Sequence, residues 1–155
     1  MTGALAFRFG PAAAFAILLA LPGCAPQSPP PVSAGPIPPG EARLWFYRDY
    51  EPSVSRNFAT VALNGSVIGQ VRPEGGGFYR DVPPGHYHIS VESFGTDTNQ
   101  AKDIDLAPGQ EAFAKVLAST SWASSGDVTS FQRDTFYIAL IPPQQARTEM
   151  AAYSL

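Results

Sequence analysis

His86 and His88 are the pair of side chains in this chain best suited to chemistry. Two apart on a strand, they share one face. Their lone pairs are ligands for zinc and related metals, and Glu92, Asp103 or Asp105 can add a third donor. The competing reading is two exposed histidines beside a turn. A closed zinc site takes three or four ligands, and the chain has no further His. No metal and no cofactor is therefore expected. The serines near Trp122 (Ser119, Ser121, Ser124 and Ser125) lack the flanking pattern of a nucleophile elbow. Glu74-Gly75-Gly76-Gly77 lacks the Lys and Ser/Thr of a phosphate loop and reads as a hairpin connection. No catalytic residue is assigned, and the chain is not expected to be an enzyme.

Cys24 is the only thiol, and it stands where an apolar run ends and a proline-rich run begins, in LALPGCAPQSPPP. Upstream, Arg8 precedes the apolar stretch Ala12 to Leu21. A membrane span needs ~20 apolar residues, so this stretch is short for an anchor helix and fits the central region of an export signal. Leu21-Pro22-Gly23-Cys24 resembles the lipobox of bacterial lipoproteins, with Pro22 departing from the usual small or apolar residue. The resemblance implies that residues 1–23 are a removed signal peptide and that Cys24 carries a diacylglyceryl group. Each buried CH₂ contributes ~0.8 kcal/mol, so two or more chains hold a protein on a bilayer. Ordinary secretion with a cut after Ala25, at the small-x-small site Gly23-Cys24-Ala25, is the alternative. Position 25 is Ala and not Asp, which by resemblance to enteric lipoprotein sorting favours the outer membrane over the inner.

The elements that must position any site begin downstream. Ala25 to Gly40 has no apolar periodicity and is rich in proline, so residues 24–40 read as a lipidated Cys and a stiff linker. At ~3.1 Å per residue the linker reaches up to ~50 Å. Residues 41–155 read as one domain. The chain of 155 residues carries a net charge of −3 with only 15% charged residues, so nucleic acid is not an expected partner.

Frequent glycine and proline, with many aromatic and β-branched residues, favour short strands joined by tight turns. Ala42 to Tyr50 is an aromatic strand. In Thr60 to Val71, Asn64-Gly65 is the preferred two-residue hairpin turn. Its regular register sets Leu63 against Ser66 and Val61 against Ile68. Phe78 to Val82 and His86 to Phe94 flank Pro83-Pro84-Gly85. In the second, Tyr87, Ile89 and Val91 point inward and His86, His88, Ser90 and Glu92 outward. Ile104 and Leu106 oppose Asp103 and Asp105, and Pro108-Gly109 turns the chain into Glu111 to Ala118. Ser119 to Ser130 reads as a longer polar loop. Asp134 to Ile141 is the last strand, stopped by Pro142-Pro143. The expected fold is all-β: a single antiparallel β-sandwich of about seven or eight short strands. Gln144 to Leu155 can add a short helix that must dock to persist.

The opening ARLWFYR, the VALNGSVIG hairpin and the GFYRDVPPGHYHISV segment resemble a family of small bacterial envelope lipoproteins catalogued as a domain of unknown function. That family is related to PEGA-like and carboxypeptidase-regulatory-like β-sandwiches. The resemblance implies a fold and an envelope location, with no catalytic residues to carry over.

Trp45, Phe46, Tyr47 and Tyr50 put rings on both faces of the first strand. One face must be core; the other is a binding platform or is covered by the tail. Trp45, Tyr47 and Trp122 are therefore the candidate binding residues. Three function classes follow: a non-catalytic, lipid-anchored envelope protein that binds a protein partner, a cell-wall glycan-binding module, and a hydrolase. The hydrolase lacks any recognisable constellation. An exposed Trp45/Trp122 patch would favour glycan, and an exposed strand edge with apolar neighbours would favour a protein partner. The identity of the partner and the oligomeric state are not readable from the sequence.

Overall fold

Asn64 and Gly65 take φ of 50° and 78°, the left-handed pair that the two-residue hairpin turn requires. They join β2 (Ala59–Leu63) to β3 (Ser66–Val71). This is a computed structural model; it describes residues 34–51, 53–93, 98–124 and 130–152, with backbone alone at 120–124 and 130–133. Leu63 lies opposite Ser66, but Val61 lies opposite Gly69 and not Ile68. The register shifts between Val61 and Ala62, a bulge that inserts Ile68 as the extra residue. Ile68 then packs against the core, while Val67 stays exposed.

β2 also pairs antiparallel with β5 (Gly85–Val91), and β5 with β6 (Ala101–Leu106). The second sheet contains β1 (Ala42–Arg48), β4 (Gly76–Val82), β7 (Glu111–Ser124) and β8 (Ser130–Ile141). The two four-stranded sheets have orders β4-β1-β7-β8 and β3-β2-β5-β6. β1 runs antiparallel to β4 but parallel to β7, which corrects the expectation of an all-antiparallel fold. A parallel pair needs a long crossover. Here the chain supplies one by building the whole β3-β2-β5-β6 sheet between β1 and β7.

Both sheets contribute to one apolar cluster. Leu44, Phe46, Val116 and Ile138 meet Val61, Leu63, Ile89 and Val91 there. Alternation on β5 and β6 follows the expected faces, with Ile89, Val91 and Leu106 buried and His86, His88, Asp103 and Asp105 exposed.

The polar loop expected from Ser119 to Ser130 is instead mostly strand. β7 continues to Ser124, and the pairs from Ser119–Thr135 to Ser124–Ser130 extend the ladder. Cross-strand pairing satisfies these backbone groups without an apolar alternation to announce it. Residues 125–129 lie outside the described residues. The tail forms α1 (Pro143–Ala151), with proline opening its first turn, where a missing N–H costs nothing. Pro142-Pro143 thus ends β8 and starts the helix.

Candidate functional site

β1 is buried along its whole length because both of its faces are covered. Leu44 and Phe46 enter the shared core, whereas Trp45 and Tyr47 form a second cluster with Phe113 and Ala146 of α1. Trp45 is 7% exposed and Tyr47 is 0% exposed. The indole lies parallel to the Phe113 ring, centroids 6.1 Å apart, and Tyr79 tilts against it at 5.0 Å. Trp45 and Tyr47 are therefore covered by the tail and do not form an open platform. Nor does Trp122 stand beside them. It lies on β7, its backbone pairing with Gln132 of β8, nine residues beyond the Phe113 that pairs with Trp45, or about 30 Å along a strand. The Trp122 side chain lies outside the described residues.

Polar groups fasten this cover. Tyr47 Oη donates to Glu149 Oε2 at 2.7 Å, and Lys115 Nζ reaches the same oxygen at 2.9 Å and Asp49 Oδ2 at 2.6 Å. Burial pushes the Glu149 carboxyl up, but hydrogen bonds from Gln145, Lys115 and Tyr47 outweigh it and the net direction is down. Burial likewise pushes Lys115 down, and its bonds to Asp49 and Glu149 turn the net shift upward. Trp45 Nε1 donates to Glu111, which also pairs with Arg147.

Arg43 was not among the sequence candidates, yet it joins the strand to the linker. Its guanidinium grips Asp81 through two bonds, Nε to Oδ1 at 2.6 Å and Nη2 to Oδ2 at 2.8 Å. Nη1 donates to the Gly35 carbonyl at 2.6 Å, and the Arg43 Cζ lies 4.2 Å from the Tyr79 ring centroid. Ala34 packs against the Trp45 cluster. The end of the proline-rich segment, from Ala34, is thus docked on the domain. The signal was legible only as an arginine inside an aromatic strand. Arg48 was missed as well. It is fully buried at the end of β1, where it donates to the carbonyls of Asn57 and Ser55, while Ser55 and Asn57 side chains bond Asp134.

On the outer side of β7, Phe113 and Lys115 lie at the helix, whereas Leu117, the next residue of that orientation, is 39% exposed. With Leu140, Tyr137, Asn99 and Lys102 it lines an open groove of about 520 Å³ along β8, the edge strand of its sheet. The loop before β6 covers part of that edge, since Ile138 N donates to the Asn99 carbonyl and Phe136 N to Ser93 Oγ.

His86 and His88 face outward on β5, as their alternation predicts. Across the ladder His86 sits opposite Asp105 and His88 opposite Asp103. Asp103 and Asp105, offered as third metal ligands, instead accept hydrogen bonds from the imidazoles. Glu92 lies past the end of β5, where its N–H bonds Thr60. As placed, no three His, Cys, Asp or Glu side chains among the described residues form a metal cage. Cys24 lies outside the described residues. Among the described residues, no helix is long and apolar enough to cross a membrane.

No protein-family model matches this chain. No curated protein shows significant similarity to it.

Proposed function

We propose that this chain is a non-catalytic, lipid-anchored protein of the bacterial envelope, outer membrane in preference to inner, whose two sheets form a β-sandwich that contacts a protein partner. The reading joins the lipobox-like Cys24 to the small envelope lipoprotein family that the strand and turn motifs resemble. The observation that carries the choice of partner is the β8 groove. Leu117 and Leu140 are exposed beside an edge strand, a surface suited to a protein chain. The glycan alternative drew on an exposed Trp45/Trp122 patch, and the Trp45 ring lies beneath α1.

At the end of the linker, Arg43 fixes Gly35 and Pro36 on the α1 side of the domain.

Two measurements test the reading. Intact mass of the native protein should show acyl chains on a polypeptide beginning at Cys24, with Cys24→Ser unprocessed there; a mature chain beginning at Pro26 or Met1 removes the anchor. A photo-crosslinker at Leu117 or Leu140 in the full chain should trap one envelope protein, with the same probe at Asp105 trapping none. Equal capture from both positions would sink the groove.

A further inference from the structure

The outer face of the β3-β2-β5-β6 sheet carries an arrangement that contact with a protein partner does not explain. His86 Nδ1 lies 2.9 Å from Asp105 Oδ1, and His88 Nδ1 lies 2.7 Å from Asp103 Oδ1. An ionised carboxylate only accepts hydrogen bonds, so each imidazole carries its proton on Nδ1. In the neutral imidazole that tautomer leaves Nε2 as the nitrogen with the lone pair. The His86 Nε2 is further placed 3.9 Å from Asp103 Oδ1, on the side of the His88 row.

Ligating histidines characteristically donate their second N–H to a carboxylate, which fixes the tautomer and raises the basicity of the ligating nitrogen. Here both imidazoles are so held, by two different aspartates, before any ion arrives. Residues two apart on one strand face lie ~6.6 Å apart at Cα. A shared ion needs both Nε2 atoms at ~2.0–2.1 Å from it, and residues at that spacing on one exposed face can turn about their side-chain bonds to meet it.

We propose that His86 and His88 chelate one divalent transition ion through their Nε2 atoms, with Asp105 and Asp103 as positioning residues and water filling the other coordination positions. Two neutral imidazoles with water suit Zn²⁺, Ni²⁺ and Cu²⁺ and discriminate against Mg²⁺ and Ca²⁺, which take oxygen donors. With two imidazoles and water, such a site is open and exchangeable, not structural.

Zn²⁺ is the probe for the test, because it leaves the imidazole signals of nuclear magnetic resonance observable. The chain has two histidines, so both are assignable. In the full chain, one equivalent of Zn²⁺ should shift both Nε2 resonances together while both Nδ1 atoms stay protonated. Mg²⁺ at the same concentration should shift neither. Affinity read from these shifts should fall at least about tenfold in Asp103→Asn and in Asp105→Asn. The remaining imidazole of His86→Gln or His88→Gln should respond only at a large excess. Asp105 is 87% exposed, so its variant should keep the wild-type circular dichroism spectrum. Movement of one imidazole alone, of neither, or binding by both Asn variants equal to wild type would overturn the proposal.

Discussion

Tyr47 Oη donates to Glu149 Oε2 at 2.7 Å, tying the end of β1 to the last turn of α1. The helix is short and buries only Ala146 fully, so propensity alone would not hold it. The Glu149 carboxylate, shared with Lys115, is the polar fastening of the lid over Trp45. Glu149→Ala should lower stability by about 1–3 kcal/mol in urea titration and reduce the helical signal. Tyr47→Phe should cost less, about 1 kcal/mol, because Lys115 keeps its pairing with Glu149.

The same contact sets a pH window. Glu149 is shifted down in the folded state, so its contribution is present above the ordinary glutamate range and is lost as pH falls through the lower folded value. Lys115 is shifted up, so its contribution is full below the ordinary lysine range and is lost as pH rises through the raised folded value. Helix docking followed across pH should fade at both extremes. Glu149→Gln should flatten the acid limb.

Arg43 and Asp81 make a second fastening, with Arg43 raised mainly by its bond to Asp81 and Asp81 lowered mainly by its bond to Arg43. Lysine keeps the charge but not the planar fork that reaches Asp81, Gly35 and Pro36 at once. Arg43→Lys should therefore release residues 35–38, read as faster amide exchange at Ile37 and easier proteolytic cutting there. The expected stability loss is about 1–3 kcal/mol. Unchanged exchange at Ile37 would show that the linker is held by other contacts.

What was legible in the sequence was local. Asn64-Gly65 announces its turn because few residue pairs tolerate left-handed φ twice, and the β5 and β6 faces follow from alternation. The bulge at Ile68 was not legible, since it depends on which side chain the core prefers, Val67 or Ile68. The parallel β1–β7 pairing joins residues far apart in sequence. The strand in Ser119 to Ser124 was hidden by its serines, because ladder pairing uses backbone groups that composition does not report. For the candidate site, the sequence left Trp45 either open or covered. Only the docking of Ala146 and the reach of Glu149 decide it.

Two glycines separate backbone strain from steric closeness. A Cβ on Gly65 meets nothing within 4 Å, but φ is 78°, so Gly65→Val should cost about 1 kcal/mol or more through conformation alone. A Cβ on Gly77 would collide with the Phe46 carbonyl and lie 2.9 Å from Tyr47 Cβ. Neither neighbour can yield without disturbing β1. Gly77→Ala should cost more than Gly65→Ala, about 1–3 kcal/mol, and a reversed order in denaturation midpoints would contradict this packing of β4 on β1.

Trp45 and Leu117 distinguish folding from contact. Trp45 anchors the cluster beneath α1 and gives little surface to a partner, so Trp45→Ala should cost about 3–5 kcal/mol of stability. Its effect on any partner complex should follow that loss and disappear under conditions where the variant is fully folded. Leu117 has the same orientation on its sheet but lies beyond the helix, half-open to the β8 groove. Leu117→Asp should change stability by no more than about 0.5 kcal/mol, the range of an ordinary surface substitution. It should nevertheless weaken capture of a protein partner, because a carboxylate placed in an apolar contact must be desolvated. Measured side by side, a folded Trp45→Ala variant that alone loses the partner would return the binding role to the aromatic cluster.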